Sequence, residues 1–283
     1  MTHPGQLLKQ ENIYAGKEMG QNFLSSPEMA RRIVDQTGIG PDTRVLEIGP
    51  GLGALTIPIA VKTRHVIAVE KDRRLIPLLH QELENHGIDW VKIVHQDFMK
   101  TDLPSLAGDR KLVVMGNLPY NISSQILFQL VRNRACIEKA YLMFQKELAE
   151  RILAVPGKKA YSRLSAVAQY AADITGVASV GPACFFPRPA VDSAVLAFAF
   201  TAPPGVTAQT EALLFTVIKA AFSKRRKSLK NSLVGLDLGL DKPAIARVLD
   251  LAGIAPERRA ETLAVSEFLF LTRAVETLLQ ENG

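Results

Sequence analysis

The chain of 283 residues carries 34 Lys and Arg against 28 Asp and Glu, with 47% hydrophobic and 22% charged residues and a formal charge of +6. No apolar run approaches the roughly 18 residues of a membrane span, which excludes a helical membrane protein. Two cysteines, Cys136 and Cys184, are too few for a disulfide framework, and His3, His65, His80, His86 and His95 never recur at the helical spacing of a metal site, so neither a structural disulfide nor a metal is expected.

The start, Met1 to Gly20, is polar and mixed in charge and lacks the layout of a secretory signal, so a cytoplasmic protein is expected. Residues 25–38 open with Ser-Ser-Pro-Glu and close at Gly38, which predicts a helix with Ser26 as N-cap and Pro27 at its first position. Short β-rich runs follow at Arg44–Ile48, His65–Glu70, Trp90–His95, Lys111–Gly116 and Ala140–Phe144, with helix-compatible stretches including Leu75–Glu84, Ser123–Val131 and Lys146–Ala154. Strands alternating with helices imply an α/β fold with a parallel sheet covered on both faces. Two later runs, Ile174–Val180 and Val191–Thr201, have no helix between them and fit an antiparallel sheet edge. The Pro-Gly cluster after Thr201 breaks the pattern and everything beyond reads as helix, which places the domains at 1–201 and 202–283.

The first strand runs through Val45-Leu46-Glu47-Ile48 into Gly49-Pro50-Gly51-Leu52-Gly53 and then a helix. Glycines at alternate positions let the backbone approach a ligand closely, so Gly49 and Gly51 are candidate cofactor contacts. Glu70, ending the second strand, can accept hydrogen bonds from both hydroxyls of a ribose, and Asp97, after the third, can accept from an adenine amino group or simply cap a turn. Nicotinamide dinucleotides and S-adenosylmethionine share these features, and glycine spacing does not choose between them.

The fourth strand ends in Gly116-Asn117-Leu118-Pro119-Tyr120-Asn121. The exocyclic amine of adenine is a poor nucleophile because its lone pair is delocalised into the ring. The Asn117 amide oxygen and the Leu118 carbonyl can accept its two hydrogens and favour a pyramidal nitrogen, Pro119 stiffens that carbonyl, and Tyr120 offers a ring on which the base can stack.

Taken in order, Gly20-Gln21-Asn22-Phe23-Leu24, Glu47–Gly53, Asn117–Tyr120, Phe185-x-Pro187-x-Pro189-x-Val191-x-Ser193 and Phe222-x-x-Arg225-Arg226-Lys227-x-Leu229-x-Asn231-x-Leu233 resemble the motifs of the KsgA-type small-subunit (16S) rRNA adenine dimethyltransferases, from about Gly16 to the C-terminus. The resemblance implies a class I, Rossmann-like, S-adenosylmethionine-dependent methyltransferase domain followed by a small all-helical C-terminal domain. It implies dimethylation of each of two adjacent adenines near the 3′ end of 16S rRNA, within the 30S subunit or its precursor, by a monomer. It implies cofactor contacts at Asn22, Leu24, Gly49, Glu70, Asp97 and Asn117, and places Phe185, which matches the motif spacing, across the target base from Tyr120; the adjacent Phe186 is the alternative for that ring.

The run from Phe222 to Leu233 holds Lys224, Arg225, Arg226, Lys227 and Lys230 with no acid. Phe222, Leu229 and Leu233 recur at seven and four, so a helix would bury them and present the basic set to RNA phosphates. Rival readings are a 23S rRNA adenine methyltransferase of the macrolide-resistance type, a ribosome-assembly factor acting mainly by binding, and, distantly, a nicotinamide-dependent oxidoreductase.

Overall fold

A computed structural model describes residues 2–13, 21–201, 205–224, 226–235 and 238–281. Gly20 of the first motif, Ala202–Pro204 of the expected domain break and Arg225 of the basic run lie outside the described residues.

In chain order the elements are α1 (Pro4–Gln10), β1 (Phe23–Leu24), α2 (Pro27–Asp35), β2 (Val45–Ile48), α3 (Thr56–Lys62), β3 (Val66–Glu70), α4 (Ile76–Asn85), β4 (Lys92–His95), α5 (Leu103–Ala107), β5 (Leu112–Asn117), α6 (Ser123–Arg132), β6 (Ile137–Gln145), α7 (Lys146–Leu153), α8 (Arg163–Ala171), β7 (Ala172–Val180), β8 (Phe185–Phe186), β9 (Ser193–Phe200), α9 (Ala208–Ala221), α10 (Leu229–Ser232), α11 (Lys242–Leu251) and α12 (Val265–Glu281). The cap read at Ser26 forms, its hydroxyl accepting from the Met29 N–H at 3.2 Å.

A seven-stranded sheet runs in the order β4-β3-β2-β5-β6-β9-β7. Strands β2 to β6 are parallel, and β9 lies antiparallel to β6 with Ser193 opposite Gln145 and Ala199 opposite Lys139. The inner strands are buried throughout, as parallel strands covered on both faces must be. Because β2 has β3 on one side and β5 on the other, the chain reverses its winding between β2 and β5, and a crevice opens there at the carboxyl ends of the strands. A second sheet of two strands pairs β1 antiparallel to β8, Phe23 with Phe186 and Leu24 with Phe185. Each partner is two residues long and has no periodicity to read, so this ribbon had no signature in sequence.

The chain forms two compact units, one of residues 1–149 with 173–200, the other of 150–172 with 201–283. The domain assignment from sequence is corrected here: residues 150–172 belong with the helical unit. Helix α8 buries Leu164, Ser165, Ala166, Val167, Ala168, Tyr170 and Ala171, nearly its whole circumference, so it needs helices around it. Within the second unit it packs on α9 and α12, and the Tyr170 hydroxyl donates to Glu211 Oε1 at 2.8 Å.

The single basic helix expected over 222–233 does not form. Phe222 caps α9, the described residues from Ser223 to Ser228 turn, and only the four residues of α10 are helical. Backbone bonds Leu229 N–H to Arg258 O (2.8 Å) and Lys230 N–H to Pro256 O (3.3 Å) tie the segment to a later loop. The apolar residues at the expected spacing still go inward: Leu229 and Leu233 are buried, and the Phe222 ring sits 6.1 Å from Tyr161 and 5.9 Å from Phe268.

Gly116, next to the strand end that carries Asn117, has no room for a side chain, since a Cβ would lie 2.8 Å from the Ile48 carbonyl oxygen. Gly116→Ala should therefore push β2 and β5 apart and destabilise the fold by about 1–3 kcal/mol, read as a lowered midpoint of urea unfolding.

Candidate active site

The crevice is a cavity of about 210 Å³ lined by the carboxyl ends of β2 to β5 and by the segment leading into β1. From β2 comes the glycine turn. Gly49, Gly51 and Gly53 all have positive φ (63°, 55° and 87°), a conformation that strains other residues, so the turn depends on glycine at alternate positions. A Cβ on Gly51 would also come within 3.1 Å of the Phe23 ring. Here the chain presents backbone alone to the cavity.

Glu70 ends β3, nearly buried. Its Oε1 accepts from the Asp72 N–H (2.8 Å) and its Oε2 from the Gly51 N–H (3.1 Å), so strand β3 and the glycine turn are clamped through one carboxylate. Burial raises its pKa and these N–H donors act against the rise. Each oxygen keeps a lone pair for a ribose hydroxyl. Asp97 follows β4 and caps the short turn at Phe98–Lys100, its Oδ1 accepting from Met99 N–H (2.9 Å), while Oδ2 meets Lys71 Nζ at 2.8 Å. The Lys71 ammonium holds its carboxyl below the usual range. It lines the cavity, as do Asn22 and Leu24.

At the end of β5, Asn117 Nδ2 donates to the Asn22 carbonyl at 2.8 Å, which orients the amide and leaves Oδ1 as the acceptor available to a ligand. Leu118 lies past the last ladder pair, so the sheet does not use its carbonyl. The Tyr120 hydroxyl is held by Ser193 Oγ at 2.9 Å, and the Tyr120 carbonyl accepts from Ser123 Oγ at 3.1 Å, which fixes the ring where α6 begins. Asn117, Leu118, Pro119 and Tyr120 all line the cavity. Phe185 does not: it is 4% exposed, opposite Leu24 in the ribbon and packed in the core, whereas its neighbour Phe186 is 37% exposed.

Glu47 was not singled out in sequence. A lone acid inside Val-Leu-Glu-Ile was its only signal. It lines the cavity at 1% exposure, and burial pushes its carboxyl up to about 8, with the Glu70 charge adding to the rise and the Thr56 hydroxyl opposing it. Neither Glu47 Oε2 nor Thr56 Oγ1 has a hydrogen bond of good geometry.

In the helical unit, Lys224, Arg226, Lys227 and Lys230 are exposed. Lys224 Nζ donates to Asn231 O at 2.9 Å and Lys230 Nζ pairs with Glu257 at 2.9 Å, while Arg226 and Lys227 have no side-chain partner among the described residues. Among the described residues no helix is long and apolar enough to cross a membrane, and no cluster of three or more His, Cys, Asp or Glu could hold a metal.

A parallel sheet wound both ways about a glycine turn, with acids at successive strand ends and an antiparallel strand beside β6, defines a class I, Rossmann-like methyltransferase domain. Solved structures agree. A dimethyladenosine transferase from Plasmodium falciparum superposes with a TM-score of 0.76 at 27% identity, covering 90% of this chain and 98% of that one. The 23S rRNA methyltransferase ErmE does so at 0.67 and 25%, covering 90% and 100%. Residues 14–270 match the model of the ribosomal RNA adenine dimethylase family, and the chain belongs to that family. A relative from Desulforapulum autotrophicum, called ribosomal RNA small subunit methyltransferase A, is 52% identical over 97% of both chains, and one of the same name from Geobacter metallireducens is 42% identical over 96% of this chain and 99% of its own.

Because Glu47 stays protonated in the fold to about pH 8 but ionises near 4.5 when unfolded, the folded chain binds more protons across that window, and stability falls as pH rises through it. Glu47→Gln removes this dependence, so the variant should gain melting temperature over the wild type at pH 8 and little at pH 4.5, measured by calorimetry without ligand. If Asn117 Oδ1 accepts from an adenine amine, Asn117→Ala should slow single-turnover methyl transfer by orders of magnitude with RNA affinity little changed, since such an acceptor matters most as the amine pyramidalises. Tyr120→Phe loses only the Ser193 bond and should be mild, whereas Tyr120→Ala should cost about 1–3 kcal/mol of stacking. Equal damage from Phe and Ala at position 120 would mean that the ring does not stack on the base.

Proposed function

We propose that the protein transfers methyl groups from S-adenosylmethionine to the exocyclic amines of two adjacent adenines near the 3′ end of 16S rRNA, dimethylating each, within the 30S subunit or its precursor in the cytoplasm, and that it works as a monomer. The observation that carries this reading is the Asn117 amide, held by the Asn22 carbonyl with its oxygen available beside the glycine turn and Glu70.

The donor set fits the cofactor: glycine backbone at Gly49 and Gly51, the Glu70 carboxylate for ribose hydroxyls, Asp97 for an adenine amine, and Asn22, Leu24 and Asn117 closing the crevice. The unpartnered Glu47 Oε2 adds a buried oxygen suited to a cationic group. When bound, S-adenosylmethionine supplies an electrophilic methyl on a positively charged sulfur. The chain's own part is positioning. Asn117 Oδ1 and the Leu118 carbonyl hold the two amine hydrogens of adenine, so that the nitrogen lone pair projects away from the ring plane. Tyr120 takes one face of the extracted base. Phe185 reaches the other face only if its ring leaves the core, so its role in this reading depends on movement of the β1–β8 ribbon. No side chain of the crevice is needed as a base, because the methylated amine loses its proton readily to water.

The exposed cations Lys224, Arg226, Lys227 and Lys230, with Arg225 between them in sequence, serve as phosphate contacts in this reading. Of the described ones, Arg226 and Lys227 are best placed, having no side-chain partner among the described residues to give up. One alternative is an adenine in 23S rRNA, since ErmE is a 23S rRNA methyltransferase, and the experiment separates the two: incubation with labelled cofactor and unmethylated ribosomal subunits, then mapping of the modified nucleotides. Methyl groups on two adjacent 16S adenines are expected, and label on 23S rRNA alone would refute the assignment. Arg226→Gln with Lys227→Gln should weaken RNA binding and reduce its dependence on salt by about one unit of slope per residue, with cofactor affinity unchanged.

A further inference from the structure

Between β8 and β9 the chain runs Pro187-Arg188-Pro189-Ala190-Val191-Asp192, and both ends of this strap are anchored at the acceptor side of the crevice. At its start, Phe186 pairs with Phe23, the residue after Asn22, whose carbonyl holds the Asn117 amide. At its end, Ser193 bonds the Tyr120 hydroxyl, and the Asp192 carbonyl accepts from Lys146 N–H at 2.9 Å. The strap therefore borders the ground on which the target adenine would stack. Two prolines restrict its backbone to extended conformations.

Its surface is unusual for a short loop. Phe186 and Val191 are 37% and 44% exposed, and Arg188 is exposed with no hydrogen bond or ion pair to a described residue. The His3 ring meets Phe186 edge-on at 5.6 Å, and Gly5 approaches it so closely that a Cβ there would lie 3.0 Å from Cζ, so α1 braces part of the ring. The rest is left to solvent. Extracting one adenine from a strand deprives the next base of a stacking partner, and an aromatic ring at that point can replace it.

We propose that the strap is a second base subsite, in which Phe186 stacks on the unpaired nucleotide adjoining the target adenine and Arg188 meets its phosphate. This rests on the reading of the crevice as an RNA adenine site, and the substrate it takes is a single-stranded step of two nucleotides, one extracted and one stacked outside. It makes recognition of the neighbouring nucleotide a property of this strap as well as of the cations in the helical unit.

The test uses the full chain carrying Phe186→Ala, Phe186→Leu, Phe186→Tyr or Arg188→Gln, in single turnovers at saturating cofactor over a range of unmethylated small subunits, with cofactor affinity measured by calorimetry. Phe186→Leu keeps apolar bulk against His3 and Gly5 but has no ring. Both Ala and Leu should raise the half-saturating subunit concentration about tenfold, with cofactor affinity within about twofold of wild type, while Tyr stays close to wild type. Arg188→Gln should flatten the salt dependence of binding by about one unit. If Leu equals wild type, or if Ala acts only by weakening cofactor binding and His3→Ala does the same, the ring merely braces α1 and the subsite does not exist. A wild-type protein that leaves small subunits unmethylated would instead refute the substrate reading itself, which distinguishes the two failures.

Discussion

The site depends on one hydrogen bond, from Asn117 Nδ2 to the Asn22 carbonyl at 2.8 Å. A side-chain amide offers donor and acceptor ends that a small rotation exchanges, and a ligand presenting two hydrogens needs the oxygen. Giving the donor end to a main-chain carbonyl settles the orientation. The same bond ties the strand-end of β5 to the segment that closes the crevice, and through the β1–β8 ribbon to the strap that returns to Tyr120 by way of Ser193. Three stretches distant in sequence are thereby held about one acceptor group.

Around that acceptor, acids of the same kind are brought to different states by their surroundings. Glu47 is fully buried, with the Thr56 hydroxyl opposing the effect of burial and the Glu70 charge adding to it, so its proton is retained to about pH 8. Glu70 has burial opposed by two backbone N–H groups, and Asp97, nearer solvent, has a lysine that keeps it charged. Near neutral pH the crevice thus avoids gathering three full negative charges, whose mutual repulsion in a poorly solvated space would destabilise the sheet. A cationic ligand entering beside Glu47 would favour loss of its proton, which links ligand binding to ionisation.

The helical unit treats its charge differently. Leu229, Leu233 and the nearly encircled helix α8 are consumed in packing, and the described basic side chains of the run after Phe222 are left on turns and one short helix. Lys224 and Lys230 are partly engaged within the protein, whereas Arg226 and Lys227 have no side-chain partner among the described residues. Surface pairs such as Lys230–Glu257 contribute little stability in water, so exchanging one for a phosphate is inexpensive.

The amino-acid sequence by itself determined strands β2 to β7 and β9, helices α2, α4 and α6, the glycine turn, the acids at the strand ends and the Asn-Leu-Pro-Tyr segment. Those features are local: hydrophobic period, turn chemistry and capping act over a few residues, as the Ser26 cap and the positive φ at Gly49, Gly51 and Gly53 illustrate. Tertiary structure decided the rest. Which of the adjacent rings Phe185 and Phe186 is buried follows from the pairing of a two-residue strand with Phe23 and Leu24, and the orientation of Asn117 follows from a carbonyl 95 residues earlier. Residues 150–172 joined the helical unit because α8 is apolar nearly all round and its neighbours come from the far end of the chain. The basic run turned instead of extending as a helix because backbone groups near Pro256 and Arg258 claimed its hydrogen bonds. Each of these outcomes is set by competition among partners distant in sequence, which no local pattern encodes.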